Sequence, residues 1–208
     1  LTSLTYPDGS QETYQYNADG TPSQLTSRSG QTVQFTYNGR GQLTRKDYPD
    51  GSWVSFTYDA LGNLTSAADP SGVITLEYDL VRNLLTRIEY PGGRWLQFSY
   101  DAAGRRTQRL GDDGYALNYQ YDAAGRLERM TDGVGAELVH YAYDEVGRLV
   151  RESKGNGTYT TYTYDSAGQL TSLVNYAADD SIQSRFDYTC DASGNRTSMT
   201  TLEGVTAY

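Results

Sequence analysis

The side chains able to do chemistry are few and scattered. His140 is the one histidine and Cys190 the one cysteine. A general base needs a nucleophile or an orienting partner within hydrogen-bond reach. His140 has no Ser, Cys or ligand partner at a recognisable spacing, so it reads as a structural or solvated residue. Cys190 cannot close an internal disulfide, and its place in a core pattern suits a small hydrophobe better than a nucleophile. Asp112-Asp113 and Asp179-Asp180 are paired carboxylates. Calcium needs about six to eight converging oxygens, and no Asp-x-Asp-x-Asp-Gly run supplies them, so both pairs read as turn residues. Trp53 and Trp95 could stack on a sugar, but two isolated tryptophans more readily cover hairpin ends. Asn63-Leu64-Thr65, Asn156-Gly157-Thr158 and Asn195-Arg196-Thr197 match the N-glycosylation acceptor pattern, and turn grammar accounts for two of them. Arg105, Arg126 and Arg148 are expected to pair with Asp one repeat away in a surface charge ladder worth only ~0–1 kcal/mol per pair. None of this makes a catalytic constellation, a cofactor cradle or a metal site, and the chain reads as a non-enzyme.

Composition narrows the partners. The net charge of -9 opposes nucleic-acid binding, which needs a basic surface. Apolar runs never exceed three residues, so no transmembrane helix and no membrane insertion are expected. There are 20 Tyr, 24 Thr and 22 Gly against 2 Lys. Thr and Tyr suit a pleated surface and Gly suits left-handed turns.

The elements that hold these residues follow from an internal repeat. Tyr58-Asp59-Ala60-Leu61-Gly62 recurs as Tyr100–Gly104, Tyr121–Gly125, Tyr143–Gly147 and Tyr164–Gly168, with looser copies from Tyr16, Tyr37 and Tyr78 and a last one, Cys190–Gly194. The nine anchors are spaced by 21, 21, 20, 22, 21, 22, 21 and 26 residues. A second turn lies within each period, as in Tyr6-Pro7-Asp8-Gly9 and Tyr48-Pro49-Asp50-Gly51. Two turns per repeat leave two strands, so each unit is a β-hairpin chained to the next. The structural anchors are therefore Tyr16, Tyr37, Tyr58, Tyr78, Tyr100, Tyr121, Tyr143, Tyr164 and Cys190. Their turn glycines are Gly20, Gly41, Gly62, Gly104, Gly125, Gly147, Gly168 and Gly194. In Asp-x-x-Gly the carboxylate accepts an N–H two residues on and the glycine supplies positive φ. Arg82 stands where the other eight copies have glycine; either it is strained or its turn has another form.

Alternation assigns the faces. Counting back from the anchor, positions 0, −2 and −4 read Tyr58/Phe56/Val54, Tyr78/Leu76/Ile74 and Tyr121/Tyr119/Leu117, while −1 and −3 read Thr57/Ser55 and Gln120/Asn118. One face is apolar and the other small and polar. An all-β fold of chained antiparallel hairpins is expected. A strip of about 18 strands would run on the order of 85 Å if flat, and open sheets rarely exceed ~10 strands without curling, so it should curl or spiral.

The run Tyr-Asp-x-x-Gly-Arg-Leu, at Tyr121–Leu127 and Tyr143–Leu149, resembles the YD repeat of the Rhs family. That family includes bacterial Rhs polymorphic toxins, wall-associated proteins, the B and C components of Tc toxins, and teneurins. The resemblance covers essentially the whole chain and implies a β-strip that spirals into a hollow shell, which in the toxins encloses a C-terminal toxic domain. No counterpart of the self-cleaving core segment that ends bacterial shells, and no variable toxin domain, is expected within these 208 residues.

The expected organisation is a single array over residues 1–208 of about nine YD repeats, broken within a repeat at both ends, with no cap, core or toxin domain. The expected function is a shell or scaffold segment of a secreted or cell-surface protein, more readily bacterial than eukaryotic. Its partners would be the remainder of the parent chain, including an enclosed C-terminal domain, and other copies through free strand edges. The alternative is an aromatic repeat module that binds carbohydrate or a cell surface; scarce Trp and a Tyr-Asp anchor speak against it. A β-propeller fits poorly, because nine units do not close blades evenly.

Overall fold

A computed structural model describes residues 2–207. Among them there is no helix, and the chain forms twenty strands joined in sequence by tight turns. They fall into two compact units, divided between Phe98 and Ser99. The first holds β1 (Ser3–Thr5), β2 (Gln11–Tyr16), β3 (Pro22–Thr26), β4 (Thr32–Tyr37), β5 (Leu43–Asp47), β6 (Trp53–Tyr58), β7 (Leu64–Asp69), β8 (Gly72–Tyr78), β9 (Leu85–Glu89) and the start of β10 (Trp95–Tyr100). The second holds β11 (Arg106–Gly111), β12 (Ala116–Tyr121), β13 (Leu127–Asp132), β14 (Glu137–Tyr143), β15 (Leu149–Lys154), β16 (Tyr159–Tyr164), β17 (Leu170–Tyr176), β18 (Ile182–Cys190), β19 (Arg196–Thr201) and β20 (Gly204–Ala207). Within each unit every strand pairs antiparallel with its sequence neighbours and packs on no other strand. Each unit is thus a one-layer meander of hairpins, the all-β fold that the alternation predicts.

The two hairpins of a repeat differ. Across an anchor turn the strands pair along their whole length but slip by one residue beside the anchor. In β6–β7 the rungs run Ser55↔Ala68, Phe56↔Ala67 and Thr57↔Ser66, then Tyr58↔Leu64, so Thr65 is bulged. Across a second turn pairing is confined to the distal half: β5–β6 has only Arg45↔Ser55, Lys46↔Val54 and Asp47↔Trp53. Toward the anchor turns those strands splay, and backbone groups there lose their ladder partners.

Register also defines a mainly apolar face in each unit. Its rows read Tyr14–Leu25–Val33, Phe35–Lys46–Val54, Phe56–Ala67–Ile74 and Leu76–Ile88–Leu96 in the first unit. In the second unit they include Tyr119–Met130–Val139, Tyr141–Glu152–Thr160 and Tyr162–Leu173–Phe186. The contrast between faces is weaker than alternation suggests. Of the three buried hydrophobics Phe98, Ala116 and Val174, only Phe98 lies on this face. Ala116 and Val174 sit on the other, Val174 between Thr161 and Arg185.

The anchor glycines sit in the left-handed region, with φ from 75° at Gly41 to 94° at Gly62. Arg82 does not share it. That turn is one residue longer: Asn83 N–H donates to Asp79 C=O at 2.8 Å, an i to i+4 closure, and the left-handed residue is Asn83 at φ 57°. Of the two alternatives for Arg82 the structure takes the second, a turn of another form, since the extra residue moves the demand onto Asn, which tolerates it. Arg82 instead folds back on Asp79, its guanidinium 3.2 Å from the carboxylate. Gly72, in the second turn between β7 and β8, is required twice over. Its φ is 153°, and a Cβ there would meet Pro91 Cβ and Cγ at 2.6 Å.

Candidate functional site: the seam between repeats

The tyrosine hydroxyls close the splayed seam. Tyr58 donates to Leu43 C=O at 2.8 Å, Tyr78 to Leu64 at 3.0 Å, Tyr121 to Arg106 at 2.8 Å, Tyr143 to Leu127 at 2.7 Å and Tyr164 to Leu149 at 2.9 Å. Each acceptor is the first strand residue after the previous repeat's anchor turn, beside the bulge, where its carbonyl lies outside the ladder. The anchor thus serves twice: its ring packs on the sheet and its hydroxyl ties one repeat to the one before. Desolvation pushes the Tyr78 and Tyr143 phenols up, as expected of half-buried rings.

The turn aspartates organise the same seam. Asp101 Oδ1 accepts the N–H groups of Ala103 and Arg105, each at 2.9 Å, and Oδ2 takes Arg105 Nε at 2.7 Å. Asp122 with Arg126 and Asp144 with Arg148 repeat the arrangement at 2.7 and 2.6 Å. The Arg105 and Arg126 backbone N–H groups, foremost, hold the Asp101 and Asp122 carboxyls below the usual range. At Asp144 desolvation is the largest influence and raises it, but the hydrogen bonds of Arg148 outweigh it.

The expected charge ladder is therefore corrected. Each arginine pairs with the aspartate of its own turn, because residues i and i+4 straddle the turn and face each other. The reach to the next repeat is made by the guanidinium's flat face. Arg105 lies 4.6 Å over the Tyr121 ring, Arg126 4.4 Å over Tyr143 and Arg148 4.8 Å over Tyr164. Arg148 also donates to Asp165 C=O at 3.1 Å. Cation–π contacts of this kind are worth ~0.5–1 kcal/mol where exposed. In the first unit amides replace the cations: Gln42 donates to Gly62 C=O at 3.2 Å, and the Asn63 and Asn83 carboxamides join neighbouring turns.

The other candidates are not brought together. His140 is half-buried between Arg129 and Ser153 on neighbouring strands. Cys190 is half-buried opposite Arg196, whose guanidinium stacks 3.9 Å over Tyr188. Trp53 and Trp95 each carry an arginine on the ring, Arg45 at 4.8 Å and Arg87 at 4.7 Å, so one face of each indole is taken. Asp113 and Asp179 accept turn N–H groups from Tyr115 and Ser181, while Asp180 accepts the Tyr159 hydroxyl at 2.8 Å. The Asn63 and Asn195 side-chain amides are engaged by Asp59 and Asp191. Among the described residues no group of three or more His, Cys, Asp or Glu is gathered as a metal would need. No helix among them is long and apolar enough to cross a membrane.

Comparison with known proteins agrees with this architecture. The teneurin YD-shell family profile matches residues 69–201, and the RHS repeat profile matches residues 16–52 and 37–74. No curated protein sequence matches the chain. The crystal structure of TcdB2-TccC3 superposes with a TM-score of 0.78 at 16% identity, over 97% of this chain and 12% of that one. TcdB2-TccC3 without its hypervariable C-terminal region gives 0.74 at 16% identity, over 96% and 12%. The Photorhabdus luminescens Tc holotoxin pore gives 0.56 at 16%, over 92% and 12%. The chain thus spans about an eighth of the length of these structures, and at such identity they speak for the fold alone. A YD-shell profile running over more than half of the sequence, on hairpins of this form, places the chain in the YD-shell and RHS-repeat family.

Proposed function

We propose that this chain is a stretch of shell wall, a non-enzymatic scaffold in which repeated hairpins build a curved β-strip. The observation that carries the reading is the seam. Tyr-to-carbonyl and Arg-on-Tyr ties recur between repeats, and they hold a one-layer sheet together without a conventional core. In this reading the anchors Tyr16 to Tyr164, with Cys190 in the ninth place, and their turn glycines are structural. The partners are further repeats of a longer parent chain and a C-terminal effector domain outside this sequence, enclosed or displayed by the wall. Free strand edges would also pair copies of the isolated segment. An exported, extracellular setting suits such a shell, and the acidic surface does not suit nucleic acid.

Two measurements test this. Electron microscopy of the parent protein should show a closed curved wall, and protease should spare its C-terminal domain until the wall is breached. A flat strip, or a C-terminal domain cut as fast in the intact protein as when expressed alone, would overturn the proposal.

A further inference from the structure

Two asparagines of the chain are followed by glycine, Asn38-Gly39 and Asn156-Gly157. Such a pair can modify itself: the glycine amide nitrogen attacks the asparagine Cγ, and glycine puts no Cβ in the way. The two pairs sit in different turns. At 154–157 the Gly157 N–H donates to Lys154 C=O at 2.9 Å, so the nucleophile is committed to closing the turn. The anchor turn at 38–41 is closed instead by Gly41 N–H on Asn38 C=O at 3.0 Å. Gly39 stands at its second place, and the Gly39 N–H has no hydrogen-bond partner among the described residues.

The backbone does not ask for glycine at 39. Its φ is not left-handed, and an added Cβ would meet no atom within 4 Å. Ala18, Ala60, Ala102 and Ala123 fill the same place in other anchors. Nor is asparagine the rule at 38, since seven of the nine anchors carry aspartate there. The carboxamide is held as the reaction would want it. Asn38 Oδ1 accepts the N–H groups of Arg40 at 2.9 Å and Gln42 at 3.1 Å. Attack at Cγ places negative charge on Oδ1, where both donors already point, as in an oxyanion hole. The atoms of the ring to be formed, Asn38 Cγ, Cβ, Cα and C with Gly39 N, all lie in the loop that the Oδ1–Arg40 hydrogen bond closes. Part of the ring-closing entropy is therefore already lost. A hollow of about 370 Å³, bordered by Asn38, Gly39, Arg40, Gln42, Tyr58 and Asp59 among others, admits water to the site.

We propose that Asn38 is a self-modifying site, which deamidates through a succinimide formed with Gly39. The bond from Gly39 N to Asn38 Cγ forms and the Cγ–Nδ2 bond breaks. The Gly39 amide proton passes through water to the departing nitrogen, which leaves as ammonia. Water then adds to either ring carbonyl, giving aspartate or isoaspartate at 38. Either product unties a seam. Gln42 holds Asn38 Nδ2 through its oxygen at 2.9 Å and Gly62 C=O through its nitrogen at 3.2 Å. A carboxylate at 38 has no N–H for that oxygen and repels it. Where an anchor already combines Asp with Gln, at Asp165 and Gln169, no side-chain hydrogen bond joins the two among the described residues. Isoaspartate also adds a methylene to the backbone, and the closure of Gly41 on Asn38 cannot then keep its length. The chemistry is local to one turn and stands whether or not the chain is a wall.

The test is to hold the 208-residue chain in mildly alkaline buffer and map its peptides by mass spectrometry over time, with the urea-unfolded chain as reference. Asn38 should convert to a mixture of aspartate and isoaspartate, at least about fivefold faster than Asn156, where a backbone hydrogen bond must open first. Isoaspartate is the decisive product, since direct hydrolysis of the amide yields aspartate alone. Gly39→Ala, which the turn accommodates, should slow conversion at Asn38 roughly tenfold, with the circular dichroism spectrum and the rate at Asn156 unchanged. An Asn38 that stays intact while the unfolded chain converts, or an Asn156 that converts as fast, would overturn the proposal. So would aspartate without isoaspartate, or an undiminished rate in a folded Gly39→Ala variant.

Discussion

Removing one oxygen tests the seam most directly. Tyr143→Phe keeps the ring under Arg126 and deletes only the hydroxyl that donates to Leu127 C=O at 2.7 Å. A hydrogen bond of this kind contributes ~0.5–1.5 kcal/mol net. The abandoned carbonyl adds a desolvation cost, which stays at the low end because the site is half-buried and water can reach it. The sum is about 1–1.5 kcal/mol, and each kcal/mol should lower Tm by roughly 2–4 °C in a chain of this size. Tyr37 supplies an internal control. Its ring occupies the same place in the repeat, but its hydroxyl has no hydrogen-bond partner among the described residues, so Tyr37→Phe should cost close to nothing. Urea denaturation of both variants, followed by circular dichroism and by tyrosine fluorescence, reads the difference. If Tyr143→Phe is no more destabilising than Tyr37→Phe, the hydroxyls are not holding the repeats together, and the seam is only an apolar stack.

Three further outcomes follow from the turns. Arg82→Gly should leave the denaturant midpoint unchanged or lower it, whereas Asn83→Ala should cost about 1 kcal/mol or more, because Asn83 holds the left-handed position and its carboxamide pairs with that of Asn63. Gly72→Ala should cost roughly 1–3 kcal/mol through backbone strain and the collision with Pro91, and Pro91→Ala in the same chain should recover part of it. The carboxyls of Asp59, Asp101, Asp122 and Asp191 are held low by Asn63 and Arg105, Arg126 and Asn195 donors. The folded chain therefore binds protons less readily than the unfolded one. The stability so gained is full above pH ~4 and is lost as pH falls through the depressed values. A midpoint that falls between pH 7 and 5, or holds steady below pH 4, would contradict this.

The fold was legible because every level of the sequence points the same way: period, turn chemistry and alternation agree. The turn aspartates were legible too, since Asp-x-x-Gly carries its own mechanism. The seam was not. Read as a pattern, a tyrosine at position 0 is simply apolar, and the carbonyl it serves lies 14 to 16 residues back in the preceding hairpin. The available signal was the choice of residue: eight of nine anchors are Tyr and none is Phe, a bias that ring packing alone does not require. The arginines misled for a related reason. Counting along the chain shows which charges are near, but not that an i to i+4 pair across a turn closes first and leaves the guanidinium face free for the next ring. Arg82 was ambiguous because alignment on the repeat cannot say which residue of a lengthened turn takes the left-handed place.

A one-layer sheet has no interior to share its stabilisation among distant residues, so each seam must hold by its own contacts with its two neighbours. The seams are not equal. Between β15 and β16 three rungs are joined by the Tyr164 hydroxyl on Leu149 and by Arg148 over the Tyr164 ring. Between β3 and β4 there are also three rungs, but Pro22 and Thr21 stand where other repeats have Leu and Arg or Gln, and among the described residues the Tyr37 ring carries no cation and its hydroxyl no acceptor. Losing ties worth about 1 kcal/mol each leaves that seam weaker by about 1.5–2 kcal/mol, a ten- to thirtyfold larger open population. Between β17 and β18 five rungs replace three, which offsets the loss of the phenol at Cys190. Native-state hydrogen exchange should therefore find the β3–β4 rungs at Gln24, Thr26 and Gln34 opening first among the interior seams, and those of β15–β16 and β17–β18 later. Equal protection at β3–β4 and β15–β16 would mean that strand pairing alone sets seam strength, and that the tyrosines and arginines are retained for something else.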